Sequence, residues 1–197
     1  MVDQPAYLRN LKAYAKSKVG LDEDAIGFAN TIFSESHRGA IILAATMVED
    51  ALQSAIIKRF PTLQVDEAAA RQVFEIDGPM ASFSRRTLIA YGLGIIDKEY
   101  RNLIDLIREI RNACAHSRQP ISMTVPELTA ACSVIISDML PGLLDREPVT
   151  LLNAFVTKCA FINIYIDTGI KHEGPEAQVR YWSQLTQAPG SSPQTPK

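Results

Sequence analysis

The segment Arg108-Glu-Ile-Arg111-Asn112-Ala-Cys-Ala-His116 sets two guanidinium groups, a carboxamide, an imidazole and a carboxylate among residues that are otherwise small or apolar. On a helix turning about 100° per residue, Arg108, Asn112 and His116 fall within an arc of roughly 80° and share a face. Arg111 lies about 140° from His116 on the same ideal helix. The two converge on one ligand only if the helix ends or distorts before His116, or if a partner helix supplies one of them. Brought together, the set could do acid–base chemistry on RNA: an imidazole takes the proton of a 2′-hydroxyl while a guanidinium holds the phosphate by two hydrogen bonds. A reading without a ligand accounts for the same residues. A cationic His116 is favoured at a helix C-terminus, and Arg111 would pair with a buried acid.

Two further groups of polar residues could take part in binding. Glu35, His37 and Arg38 precede Glu49 and Asp50, which are embedded in the run Ala-Thr-Met-Val-Glu-Asp-Ala-Leu. Arg38 and Glu49 lie about three turns apart on one face, so they can meet the same neighbouring helix without touching each other. Arg108 or Arg111 is the expected partner of Glu49 or Asp50. A buried ion pair of this kind adds little net stability over an apolar pair, which favours a functional or specificity role. Ser82, Ser84, Arg85 and Arg86 form the other group, where hydroxyls and free N–H groups at a helix start could receive a phosphate or carboxylate. Helix capping alone explains the serines. The candidate ligand-binding residues are therefore Arg38, Glu49, Asp50, Ser82, Ser84, Arg86 and Arg108. No paired Cys/His spacing suggests a metal, and no cofactor is implied; Tyr91-Gly-Leu-Gly94 has no preceding strand and is not a dinucleotide loop.

The chain around these groups has 197 residues, 47% of them hydrophobic, enough for one sizeable core. A formal net charge of −2 gives no bulk attraction to nucleic acid or to an anionic membrane. Cys114, Cys132 and Cys159 are far apart and set among apolar residues, as suits core thiols in a reducing compartment. Met1–Ser17 has no secretory pattern and no uninterrupted apolar run reaches the length of a membrane span, so a cytoplasmic protein is expected.

Apolar residues recur at three and four, with no strand alternation, which predicts an all-α fold: a single-domain bundle of six to eight helices over 1–187, followed by a disordered tail at 188–197. Helices are expected from Pro5 to Ser17 and from Asp22 to Phe33. A long central helix, opened by Ser36 and stopped by Pro61, has Ile41, Ala44, Val48, Ala51, Leu52 and Ala55 on one face. Residues 61–81 show little periodicity, and Gly78-Pro-Met-Ala-Ser-Phe-Ser84 reads as a loop ending in a serine cap. Further helices run from Phe83 to Gly92 or Gly94, and from the Asp97 cap to His116 with Leu103, Ile107, Ile110 and Cys114 buried. Thr124-Val-Pro-Glu127 reads as a capping box opening a helix from Val125 to about Met139. The last two are expected from Val149 to Thr168 and from Glu176 to Gln187.

Three segments in one order, Glu35-Ser-His-Arg-Gly-Ala with Val48-Glu-Asp-Ala-Leu52, Gly78-Pro-Met-Ala-Ser-Phe-Ser84 with Ala90-Tyr-Gly-Leu-Gly-Ile95, and Ile107 to Ser117, together resemble the mannitol operon repressor family over about residues 28–140. The chain departs from that family's pattern at His37 and Cys114, where the family carries an acidic and an aromatic residue. The resemblance implies transcriptional regulation. With no basic recognition helix in the sequence, the expected mode is binding of a protein partner or small ligand, and direct sequence-specific DNA binding is not expected. Arg111, Asn112 and His116 also resemble the spaced arginine–histidine motif of the HEPN superfamily, all-helical proteins that often dimerise and include metal-independent RNases. By that resemblance Arg111 and His116 would be the catalytic pair, Asn112 would position the substrate and Glu49 would be a polar partner, with RNA as substrate. The homodimer expected here would also resolve the angle between Arg111 and His116. A non-catalytic scaffold is the third reading.

Overall fold

The computed structural model describes residues 32, 35–75, 77–137 and 148–169, and among them it has seven helices and no strand. These are α1 (His37–Ile57), α2 (Pro61–Val65), α3 (Glu67–Phe74), α4 (Phe83–Gly92), α5 (Lys98–His116), α6 (Pro126–Ile136) and α7 (Pro148–Thr168). The helices expected at Pro5–Ser17, Asp22–Phe33 and Glu176–Gln187, and the tail, lie outside the described residues apart from Ile32, which is helical and buried.

α1 begins where Ser36 Oγ accepts a hydrogen bond from Gly39 N at 3.1 Å. Beyond Ile57 the chain tightens, with Arg59 N and Phe60 N donating to carbonyls three residues back, until Pro61. The expected face of α1 is the buried one: Ile41, Ala44, Val48, Leu52 and Ala55 are core residues, and Ala51 is half-buried. By length and composition α1 alone among the described helices could cross a membrane, but its apolar side chains pack against α4, α5 and α7, as in the core helix of a globular domain. Burying each large aliphatic chain contributes about 1.5–3 kcal/mol. α7 is buried over most of its surface, with Phe155, Cys159 and Ile162 fully inside. α1 and α7 thus form the centre, α4 and α5 cover α1, and α6 bridges α5 and α7.

Two expectations need correction. Residues 61–81, in which no helix is expected, hold two: Pro61 stands at the start of α2, and Asp66 caps α3 by accepting from Ala69 N at 2.9 Å. Proline at a first helical position costs nothing, since its absent N–H would be unpaired there anyway. α3 buries only Phe74, so its periodicity was too weak to register. The capping box of Thr124 and Glu127 does not form: α6 starts one residue later, with Val125 as its cap and no side-chain hydrogen bond, and the Thr124 hydroxyl pairs with that of Ser122.

The remaining boundaries follow from local chemistry. Asp97 caps α5 by accepting from Tyr100 N at 2.9 Å. α5 buries Ile104, Ile107, Ile110 and Cys114, with Ile104 in place of the expected Leu103, which is half-buried. α4 ends as Gly94 takes a left-handed φ of 67° and Ile95 N donates to Ala90 O at 2.9 Å, a closure that favours glycine.

Candidate functional site

Glu49, midway along α1, is the point at which the polar residues meet. Its Oε1 lies 3.2 Å from Arg86 Nη1 on α4, and its Oε2 lies 3.7 Å from Arg111 Nη2 on α5. The Glu49 and Arg86 side chains are only 14% and 9% exposed, while Arg111 reaches further out at 32%. Arg111 Nη1 also donates to Asn112 Oδ1 at 3.1 Å. One carboxylate therefore ties α1 to α4 and α5.

Arg86 has a second task. Its Nε donates to Met80 O at 3.0 Å, its Nη2 donates to Phe74 O at 3.1 Å, and its guanidinium lies 5.6 Å from the Phe74 ring centroid. These bonds hold the segment between α3 and α4 against the bundle. Gly78 lies at its tightest point, where a Cβ would come within 2.4 Å of Val73 O and 2.5 Å of Gln72 O. The Gly78–Ser84 segment is thus explained by packing and capping. Ser82 Oγ accepts from Arg85 N at 3.4 Å and lies 3.2 Å from Ser84 Oγ, and Arg85 Nη1 donates to Gly78 O.

The candidate ligand-binding residues do not gather in one place. Arg38 is about 16 Å along α1 from Glu49 and donates from Nη2 to Ala115 O at 2.9 Å, satisfying a carbonyl at the end of α5. Arg86 is turned inward, away from an anion at Ser82 and Ser84. Arg108 pairs along its own helix, with Asp105 at 3.5 Å and Glu109 at 2.7 Å. Of the two expected partners for Glu49, the structure selects Arg111. Asp50 is an exposed residue whose carboxyl is nevertheless raised above the ordinary range, first by desolvation and then by the charge of Glu49, with Arg86 opposing.

Among the described residues α5 is regular through His116, and Ser117 is its C-cap. The helix neither ends nor distorts between Arg111 and His116. Arg111 turns toward Glu49, and His116 is exposed at the last helical position. A single chain therefore supplies no helix break that would bring the two together.

Reasoning from sequence missed the inward role of Arg86 and the part played by His37, whose Nδ1 accepts from Met123 N at 3.0 Å. A signal for Arg86 was available, since it lies four positions after the Ser82 cap, between Phe83 and Ala90 on the helix's buried side. Among the described residues no group of histidine, cysteine and carboxylate side chains could hold a metal. Cys114, Cys132 and Cys159 are free and buried. Burial, followed by the neighbouring Cys114, pushes the Cys132 thiol up to about 12, and burial raises Cys159 further.

No protein-family model and no curated protein matches the sequence. Among solved structures, a chain in the X-ray structure of the MtlR-HPr complex from Escherichia coli is similar, with a TM-score of 0.58 and 18% identity over 71% of this chain and 98% of that one. The likeness is one of fold. Parts of three segments singled out in the sequence meet at Glu49: the middle of α1, the Gly78–Ser84 turn held by Arg86, and α5 through Arg111.

Proposed function

We propose that this chain is a regulator of the mannitol operon repressor type that acts by binding another protein. The observation that carries this reading is the fold likeness to a chain of the MtlR-HPr complex, in which that protein is assembled with a protein partner. The geometry of α5 supports it: the residues offered for catalysis are held apart, with Arg111 engaged by Glu49 and Asn112. A protein-binding role also suits the exposed end of α4. Leu88, Tyr91 and Leu93 are 53%, 37% and 38% exposed, and the Arg101 guanidinium lies 5.0 Å from the Tyr91 ring centroid. Arg85 shares this face of α4 one turn before Leu88. An aromatic with arginines and no buried charge is the composition enriched at interface centres. The partner suited to it presents an apolar side chain beside a carboxylate.

Calorimetric titration of the purified chain with HPr tests the reading. Saturable binding is expected, weakened about tenfold or more in Leu88→Asp. The alternative, a HEPN-like metal-independent RNase using Arg111, Asn112 and His116 across a homodimer, predicts RNA cleavage in excess chelator that disappears in His116→Ala. That result, together with no binding to HPr, would overturn the regulator reading.

A further inference from the structure

The first turn of α1 holds the connection between α5 and α6 at two points. Arg38 Nη2 donates to Ala115 O at 2.9 Å, at the end of α5, and His37 Nδ1 accepts from Met123 N at 3.0 Å, just before α6. Met123 is itself a core residue, 1% exposed, and its carbonyl accepts from Thr129 Oγ1 at 2.6 Å. The other hydrogen bonds described within residues 117–125 are local: Ser117 with Gln119, Ser122 with Thr124, and Val125 N with Ser122 O.

The bond from Met123 sets the protonation state of the imidazole. A backbone N–H can only donate, so Nδ1 must offer a lone pair and the ring proton must sit on Nε2. A doubly protonated ring would oppose N–H to N–H, leaving the Met123 amide without its acceptor and placing a second cation beside Arg38. We infer that His37 is a pH-operated latch, which holds the 117–125 connection to α1 when the imidazole is neutral and releases it when Nδ1 takes up a proton.

The sign follows from proton linkage. The released state binds a proton that the latched state excludes, so acidification favours release. Other titratable or charged groups on the elements that meet here are Glu35 just before α1, Arg38 on α1, Cys114 and His116 in the last turn of α5, Arg118 in the connection, and Glu127 in the first turn of α6. Among the described residues none of them is ion-paired with His37. Burial raises the Cys114 thiol, which keeps it neutral across the relevant range. His116 is a second imidazole, at the end of α5, so the test must separate the two.

His37→Asn does so, because its Oδ1 can occupy the place of Nδ1 and accept from Met123 N at every pH. Hydrogen-exchange protection factors for the Met123 amide would be compared at pH 7.5 and pH 5 in wild type and in His37→Asn, with far-UV circular dichroism confirming that both remain helical. The expected result is a fall of about tenfold in wild type and unchanged protection in His37→Asn. Unchanged protection in wild type would overturn the latch, and so would an equal fall in both proteins, since His116 or a global loosening would then be responsible.

Discussion

Glu49→Gln removes the charge at the junction of three helices and leaves the carboxamide in nearly the same volume. Arg86, 9% exposed in its side chain, then faces a neutral oxygen in a poorly solvated site. Removing one member of a fully buried ion pair costs about 3–5 kcal/mol. Two features reduce that figure here. Arg86 keeps the Met80 and Phe74 carbonyls as acceptors, and Arg111, at 32% exposure, can turn its charge to water. The expected loss is therefore about 2–3 kcal/mol, equivalent to a fall of about 5–10 °C in Tm for a chain of this size. The assay is urea unfolding of wild type, Glu49→Gln, Arg86→Met and the double variant Glu49→Gln/Arg86→Met. The double variant should be less destabilised than the sum of the single changes, because it leaves no orphaned charge. A loss below about 0.5 kcal/mol in Glu49→Gln would refute the reasoning by showing that the pair is effectively solvated. Strict additivity in the cycle would refute it by showing that the two groups do not interact.

Three further outcomes follow from the same structure. Gly78→Ala should cost about 2 kcal/mol or more in urea unfolding, because the atoms its Cβ would meet are the Val73 and Gln72 backbone oxygens, which have little freedom to move away. With burial pushing the Cys132 thiol up to about 12 and raising the other two, all three cysteines should stay unlabelled by a thiol reagent in native protein and react in denaturant, and rapid native labelling of any one would contradict its burial. Asp50 has a folded-state carboxyl raised above its unfolded value, so the unfolded state releases that proton first and stability falls as pH rises through the carboxylate range. Asp50→Asn should accordingly be more stable than wild type at pH 7, with the difference gone at a pH low enough to protonate both states; an equal or less stable Asn variant at pH 7 would sink this assignment.

How much of this was legible in the sequence depended on whether the signal was local. The buried stripe of α1, the Ser36, Ser82 and Asp97 caps and the Gly94 stop all follow from periodicity or capping within a few residues, whereas the pairing of Glu49 with an arginine on α5 spans 62 positions and was legible only as charge complementarity. α2 and α3 were missed because a helix of five residues and one of eight that bury only Phe74 leave almost no apolar pattern. The capping box failed because Pro126 places the helix start at Val125, one position beyond the threonine. Arg86 was read as an anion ligand because its neighbours in sequence are a serine cap and another arginine. Its real partners, Met80 O, Phe74 O and Glu49, lie 6, 12 and 37 positions away, and only the fold brings them in.

The same distinction bears on the Arg111–His116 pair. Sequence spacing places an arginine, an asparagine and a histidine within two turns, and a motif reading treats that proximity as a site. In the folded chain one side of α5 is committed to Glu49, and the helix continues unbroken to His116. A composite catalytic site would need a second copy to bring its His116 to this chain's Arg111, whose two Nη groups already face Glu49 and Asn112. Recruiting Arg111 to a phosphate would take it from Glu49, which would keep Arg86 as its ion-pair partner. Catalysis would then have to recover the contribution of the 3.7 Å Arg111–Glu49 contact and of the Arg111–Asn112 hydrogen bond. The proposed regulator, docking a partner on the outer face of α4, would leave both contacts intact and use the Glu49 junction as a rigid support.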